Sequence, residues 1–263
     1  IRDDVESRGL GDVYKRQIED YIKEANYFVH FAWDGSGNAG RANYEIQSKN
    51  VWYSMEALKI ADRLGCESFW FPGSQAEYGV KHEPISEEME CHPVSEYGKS
   101  KLKFGNMAEE FCRDKKIRFI HLRIFSIYGA DDRPGTLVDT CVRKFNSGET
   151  VQLGNCTQKW NYLYIDDFTD MISRMMEKNI DTGIYNISGV DTRVLREFVT
   201  EIYHLSNQTG NYEFGNNIVN PEGTPDLEPV IKKVDSVIGT HKITTFSDGI
   251  REIMKRIEEE SFV

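Results

Sequence analysis

No stretch of these 263 residues holds the roughly 20 consecutive apolar side chains that a membrane-spanning helix needs, so no membrane partner is expected. Positive charge is also short. Lys and Arg number 32 against 43 Asp and Glu, a formal net charge of -11. Most of the surface should repel phosphate polymers, which excludes nucleic acid as the main partner, although a few local cations can still hold a nucleotide. The five cysteines (Cys66, Cys91, Cys112, Cys141 and Cys156) are odd in number, widely spaced and contain no C-x-x-C pair. That pattern points to reduced thiols in a cytoplasmic protein with no metal. With 39% apolar and 29% charged residues, the chain is long enough for one two-lobed α/β domain or two small ones.

Residues 1–17 carry mixed charge and no usable period. The run Asp12-Val13-Tyr14-Lys15-Arg16-Gln17 is what one frame of a common transposon sequencing adapter encodes. The segment therefore reads as a cloning or assembly scar, with a flexible arm as the alternative, and is set aside.

From Ile18 the chain becomes regular. Ile18 to Ala25 reads as the end of a helix and Tyr27 to Ala32 as a buried strand, followed by the glycine-rich loop Asp34 to Gly40. A helix is expected over 43–64, with Ile46, Val51, Met55, Leu58 and Ala61 on one face and Gly65 as its stop. Ser68 to Pro72 is a second strand, 96–115 another helix and Ile117 to Phe125 a third strand. Strands alternating with long helices predict a parallel, doubly wound sheet. Beyond Gly129 the elements shorten, with helices near 136–146, 168–178, 192–206 and 247–260 and strands at 160–165 and 183–187.

The stretch Ser95-Glu96-Tyr97-Gly98-Lys99-Ser100-Lys101 carries the clearest chemistry. Four residues apart on a helix, Tyr97 and Lys101 share a face. An ammonium beside a phenol favours phenolate and makes the hydroxyl a usable acid and base. With 13 tyrosines in the chain this spacing alone is weak evidence. The strand Ser68 to Pro72, however, runs into Gly73-Ser74-Gln75-Ala76-Glu77-Tyr78-Gly79, which sets a hydroxyl at a strand's carboxyl end, where open α/β sheets bind ligands.

The order His30-x-Ala32, Asn50, strand–Gly73-Ser74-x-x-x-Tyr78-Gly79, Tyr97-x-x-x-Lys101, Leu122-Arg123-Ile124-Phe125-Ser126-Ile127-Tyr128-Gly129 and Tyr162-Leu163-Tyr164-Ile165-Asp166-Asp167 resembles the extended short-chain dehydrogenase/reductases acting on nucleotide sugars. The resemblance is strong over about residues 25 to 170 and loose beyond. It implies a Rossmann-like doubly wound parallel sheet with a smaller C-terminal α/β substrate lobe. It also implies NAD or NADP as cofactor and a nucleotide-sugar substrate. Tyr97 would exchange a proton with a sugar hydroxyl, and Ser74 would hydrogen-bond that hydroxyl. Lys101 would hold the cofactor ribose, and Asn50 would order the helix and a water behind it. Ala32 and Phe125 would lie along the cofactor, and Gln75, Ser126, Lys159 and Trp160 along the substrate. A homodimer through the helices 43–64 and 96–115 is common in such proteins.

Departures narrow the chemistry. The 4,6-dehydratases of this group place an Asp-Glu pair after the catalytic hydroxyl, and here Gln75 and Ala76 stand there, neither able to carry a proton. The GDP-fucose synthase type needs a cysteine where Ala76 stands. What remains is 4-epimerisation, or simple reduction and oxidation at C4. An arginine that commonly meets the diphosphate is replaced by Trp160, with Lys159 adjacent, and a common asparagine by Ser126.

The fold so implied opens with strand–G-x-x-G-x-x-G–helix, which receives the pyrophosphate. Nothing before Tyr27 matches it, and Gly35-Ser36-Gly37 follows the wrong strand. About two βα units of about 30 residues each are expected to be missing, making this a gene fragment. Residues 18–128 would form part of the cofactor domain, with 160–178 returning to it, and 129–263 mainly the substrate lobe. Two other readings stay open: a non-catalytic nucleotide-sensing protein on the same fold, and a reductase of a small non-sugar alcohol or ketone.

Overall fold

The computed structural model describes residues 18–206, 208–216, 223–239 and 243–260. The segment 1–17, read above as a scar, lies outside them.

After a helical turn over 18–21, the first half runs β1 (Tyr27–Val29), α1 (Asn38–Arg41), α2 (Tyr44–Arg63), β2 (Ser68–Ser74), a 3-10 turn (Gln75–Glu77), α3 (Glu96–Lys115) and β3 (Arg118–Ile124). The second half runs β4 (Ser126–Tyr128), α4 (Leu137–Asn146), β5 (Thr150–Gln152), β6 (Lys159–Tyr164), α5 (Ile165–Glu177), β7 (Gly183–Ile187), β8 (Thr192–Val194), α6 (Leu195–Leu205), β9 (Asn211–Glu213), α7 (Lys232–Ile238) and α8 (Phe246–Glu260). No helix among the described residues is long and apolar enough to cross a membrane.

The chain divides into two compact units. The first holds the described residues from Ile18 to Gly79 together with Met89–Arg123 and Asp181–Tyr185. Its sheet has the order β1-β2-β3-β7, and β1 runs parallel to β2 with Tyr27 opposite Ser68 and Val29 opposite Trp70. Every residue of β2 is buried. Phe71 meets Phe104 of α3 edge to face at 4.5 Å, at the centre of a core that also takes Leu58 and Ala61 from α2. Such an aromatic pair contributes about 0.5–1.5 kcal/mol beyond the area it buries. Local capping sets both long helices. The Asn43 side chain accepts from the Ile46 amide, and the Ser95 side chain from the Gly98 amide.

β1 is shorter than the expected strand to Ala32. Its last bond to β2 is the His30 amide donating to Trp70 O at 3.0 Å. Past that point Pro72, which has no N–H, costs the ladder nothing on the side where β1 has ended.

The second unit comprises Val80–Glu88, Ile124–Ile180 and the described residues from Asn186 to Glu260. In it β6 pairs parallel with β4 and antiparallel with β8, and β5 pairs parallel with β9. Helices α4, α6 and α8 bury Phe145, Phe198 and Ile250 in one core, where Phe198 and Phe246 meet edge to face at 4.7 Å. Two expected boundaries shift here. Residues 192–194 are a strand, not the start of a helix, since Thr192 and Val194 are β-branched and pair with β6. The helix expected from 168 begins at Ile165, with Asp166 and Asp167 in its first turn, where acidic side chains suit the helix dipole.

Candidate active site

Three side chains named from the sequence come together in the first unit. Ser95 caps α3, so Tyr97 and Lys101 fall in its first two turns, and both are buried. A Cβ at Gly98 would lie 2.5 Å from Ala76 O. Glycine alone lets the start of α3 press against the turn that follows Ser74. The helix bearing the phenol and the ammonium thus abuts the turn bearing the hydroxyl.

Ser74 ends β2 in extended conformation. Its Oγ accepts from the Ala76 amide at 3.2 Å, while its own amide donates to Glu77 Oε1 at 2.8 Å, a reciprocal capping box. With a lone pair so engaged, the hydroxyl keeps its hydrogen for an outside acceptor.

Lys101 Nζ donates to Pro72 O at 2.7 Å, the carbonyl that β1 leaves uncovered. It also lies 3.8 Å from the centroid of the Trp33 ring and 5.6 Å from that of Tyr97. Burial pushes its pKa down to about 7, with Arg41 adding to the fall and Glu77 opposing it. Of the three donors of an ammonium, one meets an oxygen among the described residues, which leaves two without a partner there. Arg41 lies with its guanidinium carbon 4.2 Å from the Tyr97 ring centroid.

The loop after β1 is tied down from α2. Asn50 accepts from the Asp34 amide at 3.0 Å and donates to Asp34 O at 2.8 Å. It thus ties down the loop that carries Trp33 and makes no direct bond to the Lys101 ammonium. The fully buried Gln47, which sequence reading passed over, accepts from Trp33 Nε1 at 2.8 Å and donates to Gly35 O and Gly40 O. Ala32 is exposed beside Trp33, and Gln75 is half-buried as the first residue of the 3-10 turn. His30 is buried against Ser54 Oγ at 2.8 Å. Burial, with a contribution from Lys101, pushes its pKa down to about 4.

The remaining residues named from the sequence lie in the second unit. Phe125 is buried, its amide donating to Ile187 O, and Ser126 opens β4 opposite Tyr162. Lys159 is exposed, and its ammonium pairs with Glu228 at 2.6 Å. The Glu228 hydrogen bond raises its pKa. Trp160 packs on the core with Nε1 buried and without a partner among the described residues. A cavity of about 480 Å³ opens beyond β4 and β6, lined by Tyr128, Asp131, Asp132, Asp166 and Arg256. No group of three or more metal-ligating side chains occurs among the described residues.

A phenol and a buried ammonium four residues apart, beside a serine at the end of a Rossmann-type strand, define a short-chain dehydrogenase/reductase of the extended type. The chain belongs to the NAD dependent epimerase/dehydratase family, whose sequence profile matches residues 10–188. It is 23% identical over 213 residues to an uncharacterized UDP-glucose epimerase of Bacillus subtilis, covering 80% of this chain and 67% of that one. It is 21% identical over 160 residues to the CDP-abequose synthase of Salmonella muenchen, covering 59% and 50%. The aligned part spans between half and about two thirds of the length of these curated relatives. Among solved structures, the UDP-glucuronic acid 4-epimerase of Bacillus cereus with UDP-glucuronic acid and NAD superposes with a TM-score of 0.80. That match has 20% identity and covers 94% of this chain and 78% of the other. Likeness at that identity establishes the Rossmann-type α/β fold.

Proposed function

We propose that the natural protein is an NAD(P)-dependent enzyme that interconverts a carbinol and a ketone at a ring carbon, C4, of a nucleotide-activated sugar. The observation that carries this reading is the packing of α3 on the turn after Ser74, which sets Tyr97 and Lys101 beside a hydroxyl whose hydrogen is uncommitted. Bound NAD or NADP would supply the two-electron acceptor and donor. Tyr97 takes the proton from the sugar hydroxyl as the ketone forms and returns it on reduction. Ser74 donates a hydrogen bond to the same oxygen, and the two spare donors of Lys101 hold ribose hydroxyls and favour the phenolate. Ala32, Asn50 and Phe125 belong to the cofactor side of this reading, and Gln75, Ser126, Lys159 and Trp160 to the substrate side.

Gln75 and Ala76 carry no proton to eliminate water, which favours epimerisation or C4 reduction over dehydration. Relatives named as a UDP-glucose epimerase and as a CDP-abequose synthase support the choice of a nucleotide sugar. Trp52 of α2 and Met107 of α3 are exposed apolar side chains, and a homodimer through these two helices is part of the same proposal. So is a cytoplasmic setting, which suits five free cysteines, four of them buried.

The test is to incubate the full-length protein with UDP-glucose or UDP-glucuronic acid and NAD or NADP, and with a CDP-activated 4-keto sugar and NADH or NADPH, and to identify products by proton NMR. A C4 epimer or a C4 carbinol–ketone product is expected. A 4-keto-6-deoxy product, formed by loss of water, or no turnover of any of them would overturn the reading.

A further inference from the structure

Beneath Ser74 lies a charged cluster that the proposed reaction does not use. Glu77 is wholly buried. Its carboxylate meets His121 Nε2 at 3.1 Å, Arg123 Nε at 3.0 Å and the Ser74 amide at 2.8 Å. Both basic partners stand on β3 and are themselves buried. The space is purpose-shaped. A Cβ at Gly73 would run into His121 Nε2 and Glu77 Oε1, and one at Gly105 of α3 into the other edge of the same imidazole.

A buried carboxylate is costly unless fully partnered, and a turn does not need one, since an uncharged N3 residue leaves the Ser74 cap on Ala76 intact. Burial alone would favour the neutral acid, yet His121, Arg123 and the Ser74 amide outweigh it and hold Glu77 below the ordinary carboxylate range. What the arrangement secures is the backbone of Ser74. With its amide locked to a fixed anion and its Oγ locked to the Ala76 amide, the hydroxyl hydrogen has only the outward direction left.

We infer that Glu77, held by His121 and Arg123, is a positioning residue that orients the Ser74 hydroxyl as a hydrogen-bond donor toward the substrate oxygen. The inference rests on the active-site reading of Ser74 given above. Glu77 touches no reacting atom and works through Ser74. The ion cluster also ties β3 to the end of β2, so a shift of either strand would be felt at the hydroxyl.

The experiment is a double-mutant cycle in the full-length protein, using whichever of UDP-glucose or UDP-glucuronic acid it turns over with NAD. Glu77→Gln should lower kcat about tenfold with KM within about twofold, because a mispositioned donor is felt mainly in the transition state. In the Ser74→Ala background the same change should cost almost nothing further, since its target is gone. Equal losses in both backgrounds would reduce Glu77 to a structural residue and overturn the inference. If Glu77→Gln does not fold, His121→Asn keeps the Arg123 pair and should lower kcat in the same direction, by a smaller factor. An unchanged kcat there would also overturn it. Failure of the unmodified protein to turn over either sugar would sink the functional reading instead. The positioning claim then stands or falls on amide hydrogen exchange, which Glu77→Gln or His121→Asn should speed at residues 74–76 relative to the rest of β2. Unchanged exchange there would overturn it independently of any activity.

Discussion

The ammonium of Lys101 lies 3.8 Å from the ring centroid of Trp33 and 2.7 Å from the carbonyl oxygen of Pro72. An ammonium shielded by an indole and bonded to one carbonyl is desolvated, which favours its neutral form. Two of its donors stay available, and its pKa falls to about 7.

Lys101→Met should therefore separate stability from activity. The folded state prefers neutral Lys101, so between about pH 7 and the ordinary lysine range the unfolded chain binds more protons. The Lys101 contribution then raises the stability of the parent with pH from about 7 to about 9, above which the buried thiols of Cys112 and Cys141, pushed up by burial, pull the other way. In the variant the rise should vanish, and at pH 7 the protein should gain about 1–4 kcal/mol, since an apolar side chain replaces a buried charge. On the proposed mechanism turnover should also fall, because the cofactor ribose loses a hydrogen-bond donor and, below about pH 7, the phenol loses its neighbouring cation. Urea titrations at pH 6 to 10 beside steady-state kinetics provide the check, and a destabilised variant at pH 7 would contradict the burial argument.

Tyr97→Phe keeps the ring under Arg41 and removes only the hydroxyl. Turnover should drop by about 10²–10⁴-fold, the usual loss when positioned acid/base catalysis goes. Substrate affinity should change little, as one hydroxyl contact contributes about 1 kcal/mol net. Ser74→Ala should be the milder of the two, because it removes a hydrogen bond and leaves the proton carrier. Near-normal kcat in a folded Tyr97→Phe protein would remove Tyr97 from the mechanism.

Gln47→Ala tests the loop beneath Trp33. The change strands the indole N–H and the carbonyls of Gly35 and Gly40, all bonded by the one side chain. A loss of about 2–3 kcal/mol is expected from polar groups left without partners. Guanidinium unfolding monitored by circular dichroism measures it, and a loss below about 0.5 kcal/mol would show that the loop does not depend on Gln47.

Lys159→Ala addresses the substrate side. The pair with Glu228 is exposed and screened by solvent, so its removal should leave stability essentially unchanged. If Lys159 meets the diphosphate of the nucleotide sugar, KM should rise several-fold with kcat unchanged and with a smaller effect at high salt. An unaltered KM at low ionic strength would take Lys159 out of the substrate site.

Much of the fold and the heart of the site were legible because their causes are local. Asn43 and Ser95 announce their helices by capping chemistry within three residues, and four-residue spacing puts Tyr97 and Lys101 on one face. The apolar run Ser68 to Pro72 declares a buried strand wherever it is packed. Short strands such as Thr150–Gln152 and Asn211–Glu213 were invisible, since three residues carry no period and each depends on pairing with the other.

By itself, then, the sequence determined the helices, the buried strands and the residue types that can move a proton. Tertiary structure alone decided that Trp33 covers Lys101, that the Pro72 carbonyl is spare because β1 stops at the Trp70 bond, and that Glu77 sits under Ser74. Glu77 in a turn reads as a solvated carboxylate. Only the arrival of His121 and Arg123, 44 and 46 residues further along the chain, makes its burial affordable. Local propensity acts over a few residues, whereas desolvation and charge pairing depend on neighbours that only folding brings together.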